Sequence, residues 1–199
     1  VLVYAMCMFV KNTKSTQFPM VHQYVTDRLK KATETSLYGA MAVYWLLEQE
    51  DWVAPGGEQR ELMGKQRMLI DNLQSLIDVV RKDQDSSRVA KKERLVAMLQ
   101  DPPDRCPPLL VPFLSVALPT EPDIIISGVI PEHTAVYKST QMPVRVSFLS
   151  DPTCHSHSVI IKTGEAVDGD LMVMQTIRII DRLWRQNNLH LHIQTYSIL

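Results

Sequence analysis

The sequence has few cysteines, and none of them are paired at short spacing. Cys7, Cys106 and Cys154 are the only three in 199 residues, and they lie far apart. Zinc sites and disulfide frameworks need cysteines that recur in pairs at regular spacings, so neither is predicted. We therefore predict no metal site in this chain and expect a reducing, intracellular compartment.

Long apolar runs and an excess of one charge are also missing. Uncharged runs such as residues 35–47 and 106–120 are shorter than the roughly 20 apolar residues that a membrane-spanning helix needs, so no transmembrane segment is predicted. The formal net charge of −1 provides no overall basic field for nucleic-acid phosphates, and a nucleic-acid partner is not expected. No basic region precedes the apolar start, so no signal peptide is predicted, and we expect a fragment of a larger protein.

The first half of the chain has the apolar spacing of helices, with apolar residues recurring every three or four positions. Helices are predicted at residues 2–11, 20–32, 36–51, 58–81 and 88–100. Pro19 should separate the first two helices, because proline is tolerated at a helix start but not in its interior. The five prolines of residues 101–113 predict an extended connector.

The second half of the chain changes to short β-branched runs bounded by turn residues. Antiparallel strands are predicted at residues 123–130, 142–149, 157–162 and 190–198. A long helix at residues 168–186 should pack its apolar stripe on that sheet. The stripe consists of Leu171, Met174, Ile177, Ile180, Leu183 and Trp184. The predicted fold class is α+β, a helical segment followed by an antiparallel sheet with one long helix.

The sequence from Val159 onward, "VIIKTGEAVDGDLMVMQTIRIIDRLWRQNNLHLHIQTYSIL", resembles the small lobe of phosphatidylinositol 3-kinases, most closely the class III, vacuolar-sorting type. Four other segments resemble the same family in the same order. They are "SLYGAMAVYWLLEQED" from its helical accessory domain, "RELMGKQRMLIDNLQSLIDVV" and "KKERLVAMLQDP" from its linker helices, and "SGVIPEHTAVYKSTQMPVRVSF" from its small lobe. The resemblance implies a helical domain end at residues 1–54, a linker at 55–120 and a truncated kinase small lobe at 121–199.

The resemblance also implies an ATP site. Kinase small lobes hold the triphosphate with a strand lysine, which is paired with an acid on a nearby helix, and with a loop that covers the phosphates. Lys162 and Asp170 match the lysine and the acid, and residues 137–142, "YKSTQM", match the loop. Lys138, Ser139 and Thr140 are therefore expected to contact the ATP phosphates. The expected Mg²⁺ or Mn²⁺ would be held by the large lobe, which this sequence lacks.

The implied activity is transfer of the ATP γ-phosphate to the 3-hydroxyl of phosphatidylinositol. The expected partners are a phosphatidylinositol membrane surface, a protein-kinase-like regulatory subunit and a Beclin-type autophagy protein. The expected location is cytoplasmic and peripheral, on endosome or autophagosome membranes. No catalytic residue is assigned here, because neither the Asp-Arg-His…Asn catalytic loop nor the Asp-Phe-Gly metal segment occurs in these 199 residues. We expect the isolated chain to be inactive.

Other interpretations remain open. The family reads "GDDLRQD" after the lysine, whereas residues 164–170 read "GEAVDGD". This departure favours a chain that binds partners without catalysis, either as a dominant-negative module or as a pseudokinase. A class I or class II phosphoinositide kinase is the enzyme alternative. Lys162 could be a solvated strand-end lysine, and Asp170 an acid that stabilises a helix N-terminus. Ser139 and Thr140 could be ordinary turn residues.

The basic cluster of α-helical residues 88–94 has two interpretations as well. Arg88, Lys91, Lys92 and Arg94 could contact anionic lipid or form a solvated helix face. The solvated face is preferred, since charge runs on helices are commonly exposed to water.

Overall fold

The computed structural model describes residues 2–47, 57–83, 87–100, 115–150, 155–162 and 168–198. Six helices and five strands occupy these residues. The helices are α1 (Leu2–Asn12), α2 (Pro19–Thr35), α3 (Leu37–Leu47), α4 (Glu58–Lys82), α5 (Arg88–Gln100) and α6 (Asp168–Gln186). The strands are β1 (Val116–Leu118), β2 (Glu121–Val129), β3 (Ala135–Val136), β4 (Val144–Ser150) and β5 (Ser156–Ile161). The predicted α+β class is confirmed.

The chain divides into two compact units, each with its own core. The helical unit comprises Val1–Met63, Pro119–Pro122 and Ala166–Leu199, and the sheet unit comprises Gly64–Leu118 and Asp123–Glu165. The predicted connector at residues 101–113 lies wholly outside the described residues, as do residues 48–51, the last residues of the predicted third helix.

The helical unit is built from helices that bury apolar side chains against one another. Pro19 separates α1 from α2, as predicted, and it is itself the first residue of α2. Proline is favoured there because it supplies a helical φ and lacks only an N–H that would have no partner at a helix start. Helix α3 is apolar on all sides and buries most of its residues, as a central helix should. The buried cluster contains Tyr4, Cys7, Leu29, Ala42, Val43, Leu46 and Leu171.

Helix α6 contradicts one sequence prediction. Leu171 is buried in the cluster formed with α1, α2 and α3, so the prediction that it packs on the sheet is wrong. Ile180 and Leu183 of the predicted stripe are exposed, at 37% and 52%. The physical reason is that helical periodicity defines which residues share a face, but it does not define which element covers that face.

The predicted strand at residues 190–198 is also wrong, because the structure assigns no strand there. His192 has a φ of 50°, in the left-handed region, which interrupts the extended conformation that a strand requires. The segment runs beside α6, where Arg178 donates hydrogen bonds to the Tyr196 carbonyl and to Ser197 Oγ, both at 3.0 Å. Ile198 packs against the buried cluster of the helical unit.

The sheet unit is organised around β4, which pairs along both edges. One edge pairs with β5 over six residues, from Val144 opposite Ile161 to Leu149 opposite Ser156. The other edge pairs first with β3 and then with β2, and both pairings are antiparallel. A bulge in β2 lies between Ile126 and Gly128. Strand β3, with two residues, and strand β1, with three, were not predicted from the sequence.

The core of the sheet unit lies between the sheet and helices α4 and α5. Apolar residues recur along α4 at three- and four-residue spacing and are buried there. The cluster includes Leu73, Leu76, Ile77 and Val80 of α4, Leu95 and Leu99 of α5, and Val144, Val146 and Phe148 of β4. Gln66 is fully buried, and its Nε2 donates to the Ala117 carbonyl at 2.7 Å, so the amide is satisfied. None of the described helices is long and apolar enough to cross a membrane.

Gly39 and Gly64 provide a matched test of helix packing. A Cβ at Gly39 would lie 2.6 Å from the Ala32 carbonyl oxygen, whereas one at Gly64 would meet nothing within 4 Å. Gly39→Ala should therefore lower the free energy of unfolding by about 1–3 kcal/mol through overpacking. Gly64→Ala should raise it by about 0.5–1 kcal/mol, because alanine loses less backbone entropy in a helix. Urea unfolding measures both, and equal effects of the two substitutions would contradict this packing.

Burial raises the pKa of the Cys7 thiol to about 12. In a Cys106→Ser, Cys154→Ser background, Ellman's reagent should therefore react with Cys7 far more slowly in the folded chain than in urea, because the thiolate is the nucleophile. The folded pKa exceeds the ordinary value of 9.0, so the unfolded thiol ionises first as the pH rises. Stability from this group is thus present below pH 9 and is lost between about pH 9 and 12. Equal reactivity in the two states would contradict the burial of Cys7.

Candidate nucleotide-phosphate site

The turn between β3 and β4 carries three of the predicted site residues. Lys138, Ser139 and Thr140 lie between Val136, the last residue of β3, and Val144, the first of β4, and all three side chains are exposed. The Met142 amide donates to the Ser139 carbonyl at 3.0 Å, and the Tyr137 amide donates to the Pro143 carbonyl at 2.9 Å. These bonds close the turn, so its exposed side chains project from a defined backbone.

Lys162 follows the last residue of β5. Ile161 is buried in the core of the sheet unit and lies opposite Val144, which is also buried. Lys162 is the next residue along the chain, and its side chain is exposed.

The pairing register brings the turn and Lys162 to one end of the sheet. Val144 lies opposite Val136 of β3 on one edge and opposite Ile161 of β5 on the other. Because neighbouring strands lie about 4.8 Å apart, the backbones of Val136 and Ile161 are on the order of 10 Å apart. The β3–β4 turn and Lys162 both continue from this row of residues, so the sheet presents them together.

This end of the sheet has groups suited to a polyphosphate. Lys138 and Lys162 supply ammonium groups, and Ser139 and Thr140 supply hydroxyls on a closed turn. Ammonium groups and hydroxyls are donors that phosphate oxygens accept. Ser139 Oγ already accepts the Gln141 amide at 3.3 Å, and its hydroxyl hydrogen can still be donated.

Asp170 belongs to the helical unit, whereas these four residues belong to the sheet unit. It is the third residue of α6, in the helical unit, and its side chain is exposed. An acid in the first turn of a helix interacts favourably with the helix dipole. Residues 163–167, which contain most of the departure from the family pattern, lie outside the described residues. The pairing of Asp170 with Lys162 stays a prediction.

Two arginines near the turn were not found from the sequence. Arg145, the second residue of β4, lies opposite Ile160, and its Nη2 donates to the His133 carbonyl at 3.2 Å. Arg81, near the end of α4, donates from Nη2 to Gln141 Oε1 at 3.1 Å. Sequence spacing contains no signal for the second contact, because 60 residues separate its partners.

Comparison with known proteins identifies relatives over much of the chain, although no family model matches it. Phosphatidylinositol 3-kinase pik3 of Schizosaccharomyces pombe is 29% identical over 140 residues, which are 70% of this chain and 17% of that protein. Phosphatidylinositol 3-kinase VPS34 of Saccharomyces cerevisiae is 27% identical over 169 residues, 78% of this chain and 19% of that protein.

A plant relative matches a shorter stretch at higher identity. The root isoform of phosphatidylinositol 3-kinase from Glycine max is 34% identical over 83 residues, which are 41% of this chain and 10% of that protein. The matched regions span less than a fifth of the length of these curated relatives. The resemblance to phosphatidylinositol 3-kinases predicted from the sequence is confirmed, and the chain is similar to a segment of these proteins.

Proposed function

We propose that this chain forms part of a lipid kinase, and that its β3–β4 turn and Lys162 bind the phosphates of ATP. The observation that carries the proposal is the row Val136, Val144 and Ile161, from which the turn and Lys162 leave the sheet at the same end. Phosphoryl transfer depends mainly on positioning and charge stabilisation of the triphosphate. A closed turn with hydroxyls beside a lysine on a sheet end supplies both.

The roles follow from the chemistry of each group. The ammonium of Lys162 would neutralise charge on the phosphates, and Ser139 and Thr140 would donate hydrogen bonds to phosphate oxygens over the turn. Lys138 would add a second positive charge. A divalent cation, Mg²⁺ or Mn²⁺, would neutralise further charge when bound by residues outside this chain. Asp170 would hold the lysine, as the family resemblance implies.

The proposed lipid is phosphatidylinositol, phosphorylated at the 3-position, because the relatives named above are phosphatidylinositol 3-kinases. The likeness of the α4 and α5 sequences to class III linker helices supports the vacuolar-sorting type. The proposal extends to a protein-kinase-like regulatory subunit and a Beclin-type partner, with peripheral binding to endosome or autophagosome membranes. A binding module without catalysis is the alternative, and the "GEAVDGD" sequence favours it.

ATP binding by the purified 199-residue chain tests the proposed site. Isothermal titration calorimetry should detect ATP binding, and Lys162→Met should weaken it by about 10- to 100-fold, since a hydrogen bond to a charged group is lost. Lys31→Met is the matched control, because it removes the same charge from an exposed position on α2. Equal affinities of the two variants would refute the site, and failure of the unaltered chain to bind ATP would favour the non-catalytic alternative.

The chain alone should bind ATP without transferring its phosphate. It contains no catalytic loop or metal-binding Asp-Phe-Gly segment, so neither the lipid hydroxyl nor the metal would be positioned. The measurement is transfer of radiolabel from γ-labelled ATP to phosphatidylinositol vesicles, with a complete phosphatidylinositol 3-kinase as the positive control. Labelled lipid formed by the 199-residue chain would contradict the assignment of catalysis to residues outside it.

A further inference from the structure

The contact between Arg81 and Gln141 joins α4 to the β3–β4 turn. Arg81 is the next-to-last residue of α4, and its Nη2 donates to Gln141 Oε1 at 3.1 Å. Both side chains are half-buried. Gln141 follows Thr140 directly, so the arginine contacts the residue adjacent to the proposed phosphate-binding hydroxyls.

Both partners are anchored in the same core. Ile77 and Val80, on the last turns of α4, are at most 1% exposed, and Met142, which follows Gln141, is 8% exposed. All three belong to one buried cluster of the sheet unit. Packed cores move little, so the backbones that carry Arg81 and Gln141 are held at a fixed separation.

The turn needs such support because its backbone is unusual. Met142 has a φ of 45°, in the left-handed region that residues with a side chain rarely adopt. Conformations of this kind persist where surrounding contacts hold them, and they concentrate at functional sites. Two contacts of Met142 hold one end of the turn: its side chain is buried, and its backbone N–H donates a hydrogen bond to the Ser139 carbonyl. The Arg81 contact holds the side chain of the preceding residue.

We propose that Arg81 is a positioning residue that acts through Gln141 to fix the turn for a triphosphate. This inference rests on the proposed ATP site and adds to it a role for the last turn of α4. The guanidinium is planar and permanently charged, so a single arginine can orient the glutamine amide and keep it in one place. Arg81 itself need not contact the nucleotide.

The test compares the ATP and AMP affinities of four chains by calorimetry: unaltered, Arg81→Gln, Gln141→Ala and the double variant. Each single variant should weaken ATP binding by about three- to tenfold, the loss expected for one hydrogen bond, and the double variant should weaken it no further. AMP binding should change much less, because AMP lacks the phosphates that the turn would cover. Arg60→Gln, on the exposed first turn of α4, removes the same charge as a matched control.

Gln141→Ala separates positioning from simple attraction, because it leaves the charge of Arg81 in place. The inference is overturned, while the ATP site stands, if Gln141→Ala binds ATP with the affinity of the unaltered chain. It is also overturned if the variants lose affinity for ATP and for AMP by the same factor. If the unaltered chain binds no ATP, the proposed function and the inference both fail. Thermal unfolding of each variant checks the fold, and faster amide exchange at Gln141 and Met142 in Arg81→Gln is expected as well.

Discussion

The pairing of β4 along both edges is the constraint on which the candidate site depends. A strand with one neighbour would leave the β3–β4 turn and the end of β5 free to diverge. Here Val144 is paired on both sides, with Val136 and with Ile161, and all three side chains are buried. Any register slip by one residue would turn the buried side chains of β4 to the opposite face, so the burial of Val144, Val146 and Phe148 fixes the register. The same register places Lys162 and the turn together.

The helices of the sheet unit stabilise this arrangement from the core side. Apolar residues of α4 and α5 pack against the sheet. The fully buried Gln66 side chain donates a hydrogen bond to the backbone carbonyl of Ala117 in β1. Hydrophobic burial supplies most of the stability of such a layer, and the satisfied amide avoids the cost of an unpaired buried group. The apolar face of α4 therefore supports the sheet, while Arg81 near its end bonds to the turn. From Gly64 onward, helix α4, whose sequence resembles a linker helix of the family, is therefore a structural part of the sheet unit.

Much of this could be predicted from the sequence, because periodicity is a local signal. The apolar stripe along α4 and the β-branched runs of β4 and β5 identified their elements, and Pro19 identified the boundary between α1 and α2. Strand β3 was missed because two residues are too few to show alternation. The strand predicted at residues 190–198 was wrong because the left-handed conformation of His192 is not visible in an alternating pattern.

The candidate site was predictable only in part, for the same reason. The family resemblance marked Lys162 and the turn, but their common position depends on strand register, which sequence spacing does not encode. The contact of Arg81 with Gln141 joins positions 60 residues apart, and only the packed core brings them together. The partner surface of Leu171 was assigned wrongly, because an apolar stripe does not specify which element covers it.

The most direct measurement of the central claim is a titration of the isotope-labelled chain with ATP, in which NMR monitors the backbone amide resonances. Binding of the phosphates at this end of the sheet predicts that the resonances of Ser139, Thr140 and Lys162 shift with ATP concentration. Those of Leu149 and Ser156, which pair at the opposite end of β4 and β5, should stay in place. Shifts confined to the Leu149 and Ser156 end, or no shift at the turn and Lys162, would contradict the account.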